Sequence, residues 1–340
     1  MITIKVISHA LTGFGEGRGN DIVRGGCVFK NDAHCTHYDW VVVYDDFPKG
    51  DVGTIRRECE PLACPPEQTI LVTSEPPSIK IYPACYTHQF GYVLTTHSPR
   101  FLPHPNHRTG RGCLYWMAGY PIDEVFAMPD YAKTQVLSTV CSAKQQKHTQ
   151  HYRRYRMIEY LDRHLDHLDW YGWGVRQLDP KYHALNPYRY HIAIENYIDE
   201  HHWTDKISDP LLGLCLTFYA GDPVLGETLP PESFIPIPIN DPEKALHIIR
   251  DSIAANEYEK RLPAIREARR LIVEKYNFYN QIADLVHEHN ARKEPGYQPR
   301  LHGHMLRGRH TLRRDPVHLV TEAYEIARYK TRSMFSSEKH

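Results

Sequence analysis

The sequence carries no excess charge of either sign, since 41 lysines and arginines balance 41 aspartates and glutamates over 340 residues. A chain-wide electrostatic attraction to nucleic acid is therefore not expected. It also lacks an apolar run of the ~20 residues that a spanning helix needs. Its start lacks the apolar core of ~7–15 residues found in secretion signals. We therefore expect a soluble cytoplasmic protein without a nucleic-acid partner.

The chain has no Cys-x-x-Cys pair among its eight cysteines. A disulfide framework is not expected in a chain of this size without a secretion signal, so we predict free thiols in a reducing compartment. The 23 histidines include several close pairs, but none of them forms a complete zinc ligand set. The sequence thus predicts no metal site built from cysteine and histidine.

Short apolar runs separated by mixed segments are typical of an α/β protein. Strands are predicted at 2–8, 39–44, 69–73, 92–95 and 136–140. Near-continuous apolar runs such as 39–44 are typical of buried parallel strands. A prior of roughly 150 residues per domain and a polar segment at 145–149 predict an N-terminal domain over 1–145. A second domain then covers 146–290, and a basic, partly helical tail covers 291–340.

The tail has a clear charge bias, with eleven lysines and arginines against five acids over 292–340. One interpretation is a disordered, solvated end. The other is peripheral contact with the anionic inner face of a membrane, where lipid-linked acceptors lie. Some helical periodicity over 317–329 is compatible with both.

Charged groups cluster in a segment that reads as strand, polar loop and helix. Glu195 and Asn196 close the predicted strand, and Thr204 is a good N-cap for the helix that follows. Asp205 complements the helix dipole, whereas Lys206 is unfavourable at a helix N-terminus unless an anion binds there. Since open α/β sheets bind ligands at the carboxyl ends of their strands, the sequence predicts an anion site here.

Three further features each have a functional and a structural interpretation. Glu75 follows the strand at 69–73 and is a candidate general base or a surface-loop carboxylate. Asp45 and Asp46 follow another strand and form either a metal-binding acid pair or a strand-end turn. The glycine-rich segment 13–19 lacks the acid expected for dinucleotide binding and is more plausible as a cleft-lining loop.

An arginine-rich segment and several ordered motifs resemble glycosyltransferase family 10, the α-1,3/1,4-fucosyltransferases. The resemblance is carried by YHIAIEN at 190–196, HWTDK at 202–206, GDP at 221–223 and LPPESFI at 229–235. It continues in RYR at 154–156, DWYG at 169–172 and SEPP at 74–77. It is strongest over 150–250. Ile194, His202 and Asp205 stand where the family has Phe, Tyr and Glu.

This resemblance implies a GT-B-like fold, with two Rossmann-like domains facing across a cleft and a helical C-terminal region. It implies inverting transfer of a sugar, fucose above all, from a nucleotide sugar such as GDP-fucose to a glycan or lipid-linked glycan. Glu75 would be the catalytic base. The residues implied in donor binding are Arg154, Arg156, Glu195, Asn196, His202, Thr204, Asp205 and Lys206. No metal cofactor is required, although stimulation by Mg²⁺ or Mn²⁺ stays open.

Two other functions remain as alternatives. One is a non-catalytic module that binds a nucleotide sugar or a glycan. The other is a metal-dependent sugar transferase that uses Asp45 and Asp46.

Overall fold

The computed structural model describes residues 1–8, 21–52, 55–56, 58–110, 119–120, 122–127, 129–146, 150–292 and 303–336. The glycine-rich segment 13–19 lies outside the described residues. The chain forms two compact units. Unit 1 comprises Met1–Gly110 and Tyr279–His340, and unit 2 comprises Arg111–Phe278.

Strands alternate with helices along much of the chain, as an α/β protein requires. The strands are β1 (Ile2–Ser8), β2 (Ile22–Arg24), β3 (Cys27–Lys30), β4 (Trp40–Tyr44), β5 (Asp51–Val52), β6 (Ile55–Arg56), β7 (Cys59–Pro61), β8 (Thr69–Val72), β9 (Tyr92–Thr95), β10 (His107–Thr109), β11 (Gln135–Val140), β12 (Leu168–Tyr171), β13 (Tyr188–Ile194), β14 (Leu216–Ala220), β15 (Phe234–Pro236) and β16 (Met305–Arg307). The helices are α1 (Ala84–Thr87), α2 (Ile122–Ala127), α3 (His151–His164), α4 (Asp205–Leu212), α5 (Pro242–Ala254), α6 (Glu257–Glu274), α7 (Phe278–Ala291), α8 (Arg309–Leu312) and α9 (Pro316–Ser336).

Unit 1 is built on a seven-stranded sheet in the order β10-β9-β8-β4-β1-β3-β2. All neighbours in it are parallel except β2, which pairs antiparallel with β3. The central strand β4 is fully buried from Trp40 to Val43, because both faces of a parallel sheet are covered. The carboxyl ends of β4, β8 and β9 therefore lie side by side at one edge.

Unit 2 is built on a five-stranded, all-parallel sheet in the order β12-β11-β13-β14-β15. Its core includes the central strands β13 and β14 and the inner faces of α3 to α6. The α/β class and two mainly parallel sheets are confirmed. The carboxyl ends of β11 and β13, which are direct neighbours, carry the connections to α3 and α4.

The boundary between the units falls at Gly110/Arg111 rather than near residue 145. The reason is that β11 pairs in parallel with both β12 and β13 and so belongs to the second sheet. The polar segment at 145–149, of which 147–149 lie outside the described residues, follows this strand and precedes α3. A polar β–α connection within a unit has the same composition as an interdomain linker, which explains the difference.

The region predicted as a tail is part of unit 1 where the structure describes it. Strand β16 pairs antiparallel with β7, and the Ala84 amide donates a hydrogen bond to Glu325 Oε2 at 2.9 Å. Buried Glu322 accepts hydrogen bonds from Arg309 and Arg313. Part of the basic charge is thus paired within the fold. Among the described residues, no helix combines the length and the apolar character needed to cross a membrane.

The cysteines that the structure describes carry free thiols, as predicted.

Candidate functional site

A buried carboxylate joins the end of β13 to the start of α4. Glu195 is completely buried, and its carboxylate accepts hydrogen bonds from the Thr204 amide at 2.9 Å and the Thr204 hydroxyl at 2.8 Å. The Tyr219 hydroxyl, from β14, donates to the same carboxylate at 3.3 Å. Burial raises the pKa of Glu195, while Lys206 and Thr204 oppose that shift. Glu195 therefore does not face solvent. Its carboxylate holds the end of the loop at Thr204 in place through these hydrogen bonds.

Thr204 is the N-cap of α4, as the sequence predicts, because its hydroxyl oxygen accepts a hydrogen bond from the Lys206 amide at 3.3 Å. The Lys206 ammonium group lies 3.8 Å from Glu195 Oε2 and 3.6 Å from Asp205 Oδ1. These distances are long for ion pairs, and the Lys206 side chain keeps 22% of its surface exposed. An accessible ammonium group beside a helix N-terminus provides positive potential for an anion.

Arg154 reaches the same edge from α3. Its side chain is nearly buried, and its guanidinium group donates a hydrogen bond to Asn196 Oδ1. The other terminal nitrogen lies 3.6 Å from Cys141 Sγ, at the end of β11. Because Asn196 directly follows Glu195, this hydrogen bond brings a second cation to the β13–α4 loop. The structure therefore brings Arg154 and Asn196 into direct contact.

Two other predicted donor-site residues lie differently. Arg156 is on the exposed part of α3, where its side chain is 56% exposed and pairs with Glu159 of the same helix. His202 is buried, and its ring packs edge-on against Tyr197 at 5.3 Å between centroids. In the structure, the Arg156 side chain pairs within α3, and the His202 ring packs inside the β13–α4 loop.

Lys181 is a cation of this site that sequence reasoning missed. Its ammonium group lies 2.8 Å from Asp205 Oδ2 and 2.8 Å from Asp209 Oδ2. Although burial opposes ionisation, Lys181 and Lys206 hold the pKa of Asp205 well below its usual range. No local pattern could have revealed this contact, since 24 residues separate Lys181 from Asp205.

Asp222 fastens the β13–α4 loop to the end of β14. Its Oδ1 accepts hydrogen bonds from the His201 and Val224 amides, both at 3.0 Å. Burial raises the pKa of this carboxyl group. The part of the loop that leads into α4 is therefore held at two points, by Glu195 at Thr204 and by Asp222 at His201.

In unit 1, Glu75 is exposed just beyond the carboxyl end of β8. Its backbone carbonyl lies 2.7 Å from His97 Nε2, and its amide donates weakly to the Tyr82 hydroxyl at 3.4 Å. Because a carbonyl only accepts, the neutral His97 ring carries its proton on Nε2. Burial lowers the pKa of His97 to about 4, which keeps it neutral near pH 7. The Glu75 side chain is thus exposed to solvent, while its backbone is held by hydrogen bonds to His97 and Tyr82.

The acid pair after β4 is engaged in structural contacts. Asp45 accepts a hydrogen bond from the Tyr82 hydroxyl and lies 2.8 Å from Lys80 Nζ. Asp46 Oδ1 accepts from the Phe47 amide at 2.8 Å and the Arg309 amide at 3.1 Å. These contacts favour the strand-end turn. Within the described part of the chain, no group of three or more His, Cys, Asp or Glu side chains is arranged to hold a metal ion.

No family model matches the chain, and no curated protein matches its sequence. Solved structures with partial similarity include an α1,3-fucosyltransferase with GDP-fucose, at 14% identity and a TM-score of 0.47, covering 88% of this chain and 93% of that one. An α1,3-fucosyltransferase with GDP gives 13% identity and a TM-score of 0.46, with 83% and 90% covered. A sucrose-phosphate synthase from Thermosynechococcus elongatus gives 12% and 0.40, with 75% and 73% covered. At these values, the similarity assigns no function to this chain.

Proposed function

We propose that this protein is a glycosyltransferase that binds a nucleoside-diphosphate sugar at the carboxyl edge of the unit 2 sheet. The observation that carries the proposal is the placement of Arg154 and Lys206 at the loop that ends in the N-terminus of α4. Two cations and a helix N-terminus at one strand edge match the charge of a diphosphate. The Lys206 ammonium group is partly exposed and lies at long distances from its two carboxylate neighbours, so its charge can add to the positive potential of the helix N-terminus.

The proposed reaction is inverting transfer to an acceptor hydroxyl. The acceptor oxygen attacks the anomeric carbon, the bond from that carbon to the diphosphate oxygen breaks, and the nucleoside diphosphate leaves with the electron pair. Glu75 takes the acceptor proton as general base. Arg154 and Lys206 stabilise the negative charge that grows on the leaving diphosphate. Glu195, Thr204 and Asn196 hold these cations and the helix N-terminus in place.

The finer identity of the substrates rests on the motif resemblance. We propose fucose as the sugar, GDP-fucose as the donor, and a glycan or lipid-linked glycan as the acceptor. The residues at 190–196, 202–206 and 221–223 support this choice. In this proposal the reaction needs no metal, and transfer that persists in a chelator would support that part. Stimulation by Mg²⁺ or Mn²⁺ is compatible with the same mechanism, because a divalent cation neutralises a leaving diphosphate.

Peripheral contact with the inner face of a membrane belongs to the same proposal. Helix α9 exposes Val317, Val320 and Tyr324, each at least 65% accessible. These residues share one face of the helix by their spacing of three and four. Arg328 and Lys330 lie further along α9. Their positive charge favours contact with an anionic membrane surface. Pelleting with anionic vesicles tests this contact, and equal pelleting of a Val317→Ser, Val320→Ser double variant would contradict it.

The donor proposal is tested by calorimetry with GDP-fucose, other nucleotide sugars, GDP and UDP. We expect binding of GDP-fucose and GDP. The Lys206→Met variant should bind them less tightly, while Arg163→Met, on the exposed face of α3, should bind as the parent chain does. Absence of binding for every nucleotide sugar and nucleoside diphosphate would reject the proposal. Binding without turnover on any acceptor would favour the non-catalytic module instead.

A further inference from the structure

A large aromatic side chain is exposed at the carboxyl edge of the unit 2 sheet. Trp173 lies just beyond the end of β12, and 69% of its surface is accessible. Val175, two residues later, is 43% exposed. A tryptophan is usually well buried, because its large apolar surface is costly to leave in water. Its exposure at the sheet edge where we propose the diphosphate site favours a role in binding a ligand.

The turn that presents Trp173 is held firmly. The Gly172 amide donates to the Arg176 carbonyl at 2.9 Å, and the Val175 amide donates to the Gly172 carbonyl at 3.1 Å. The Trp173 carbonyl accepts from the Ala143 amide at 2.9 Å. The turn is thus fixed both internally and against the connection that follows β11. The indole is presented by a defined backbone rather than by a loose loop.

Glycine is required on both sides of Trp173. Gly172 has a φ of +140°, and a Cβ atom there would lie 2.4 Å from the Cys141 carbonyl oxygen. Gly174 has a φ of +77°, which other residues rarely adopt. The two glycines let the turn pack directly on residues 141–143.

This position places Trp173 near the proposed diphosphate site. Cys141 contacts the turn through Gly172 and also lies 3.6 Å from an Arg154 terminal nitrogen. Strand β12 is two positions from β13 in the sheet, so their ends are roughly 10 Å apart at about 4.8 Å per strand. That separation is comparable to the length of a ribose and its base. A diphosphate at the β13–α4 loop can therefore extend its nucleoside towards β12.

We propose that the indole of Trp173 is the stacking platform for the nucleobase of the donor. This inference deepens the proposed function and rests on it. Every nucleobase has an aromatic face, so stacking supplies affinity without selecting one base strongly. Recognition of guanine over other bases must then come from hydrogen bonds elsewhere in the site.

The test compares a base-containing ligand with one that lacks a base. Calorimetry on the full chain measures the affinity for GDP, UDP and inorganic pyrophosphate. We expect Trp173→Ala to weaken GDP and UDP binding by roughly 5- to 150-fold and to leave pyrophosphate binding within about twofold. Trp173→Phe should restore most of the affinity because it keeps an aromatic face. Val175→Ala, on the same turn, should match the parent chain.

The possible failures are distinct. If the parent chain binds GDP and Trp173→Ala binds it equally well, the stacking inference is overturned while the donor site stands. The same holds if Trp173→Ala loses only transfer to an acceptor, which would place the indole against the acceptor. If GDP and pyrophosphate weaken together, the turn supports the diphosphate site and the stacking inference fails. If the parent chain binds neither ligand, the proposed function fails, and this inference fails with it.

Discussion

The Thr204 hydroxyl donates a hydrogen bond to Glu195 Oε2 across 2.8 Å and also accepts one from the Lys206 amide. One small side chain thus connects a fully buried carboxylate to the N-terminus of α4. The end of β13 and the start of the helix are thereby fixed relative to each other. This connection fixes the position of the Lys206 backbone at the N-terminus of α4.

Replacing Thr204 with valine should destabilise unit 2. Valine has nearly the same shape, but it removes the N-cap and leaves the buried Glu195 carboxylate with one hydrogen bond fewer. We expect the free energy of unfolding to fall by about 2–3 kcal/mol, measured by urea denaturation followed through tryptophan fluorescence. Thr204→Ser keeps the hydroxyl and should change stability by less than about 1 kcal/mol. Equal stability of the valine and serine variants would show that the hydroxyl is not needed.

Lys181 should matter more for stability than any exposed lysine of the chain. Lys181→Met removes the ammonium group that lies between Asp205 and the completely buried Asp209. Because the loss of one partner leaves buried carboxylates poorly compensated, we expect a cost of about 3–5 kcal/mol. Lys260→Met breaks an exposed pair with Glu257 on α6 and should have no measurable effect. A Lys181→Met protein as stable as Lys260→Met would contradict this role.

Sequence reasoning succeeded where the deciding interactions are local. The apolar run at 92–95 is observed as β9, and the Thr204 N-cap has the contact that its residue type predicts. Buried parallel strands and helix caps depend on residues close together in the sequence, so they can be recognised without knowledge of the rest of the fold.

The features that escaped prediction depend on pairing between distant segments. Lys181 meets Asp205 only because the loop before β13 folds against α4, and Glu322 meets Arg309 only after α8 and α9 pack together. The apolar spacing of three and four residues through Leu161, Leu165 and Leu168 is also misleading as a guide to helix length, since α3 ends at His164 and Leu168 begins β12. The apolar spacing continued across the helix end because Leu165 packs in the same core.

Lys206 should control donor affinity rather than folding. Lys206→Met removes a partly exposed ammonium group that lies 3.8 Å from Glu195 and 3.6 Å from Asp205 and donates a hydrogen bond to Thr204 Oγ1 at 3.3 Å. Loss of one charge-assisted contact to a diphosphate should weaken GDP binding by roughly 10- to 100-fold, with little change in stability. The matched control is Arg163→Met, which removes an exposed cation from α3. Unchanged GDP affinity in Lys206→Met would remove the main support for the anion site.

Glu75→Gln should separate catalysis from binding. The amide cannot accept the acceptor proton, so kcat for sugar transfer should fall by roughly 100- to 10,000-fold. GDP affinity should stay within about twofold, because the side chains proposed to bind the diphosphate, Arg154 and Lys206, belong to unit 2. Glu67→Gln removes a carboxylate just before β8, at the opposite end of the same strand, and should leave transfer unchanged. Full activity of Glu75→Gln would exclude this carboxylate as the base.

The buried ring of His97 should make unit 1 sensitive to acid. Burial lowers its pKa from the ordinary histidine value of 6.5 to about 4, so between these values the unfolded chain binds a proton that the folded chain does not. Stability therefore falls as the pH drops below about 6.5, and the contribution of His97 lost between pH 7 and pH 5 is about 2 kcal/mol.

His97→Gln tests this dependence, because glutamine keeps an N–H donor for the Glu75 carbonyl and does not titrate. Urea unfolding of both proteins at pH 7 and pH 5 gives the stability difference between them at each pH. That difference should move by about 2 kcal/mol in favour of the variant at pH 5. Buried His191, in unit 2, also titrates with a pKa lowered by burial to about 3, but it is present in both proteins and cancels. A pH-independent difference would mean that His97 titrates with the same pKa in the folded and unfolded chains.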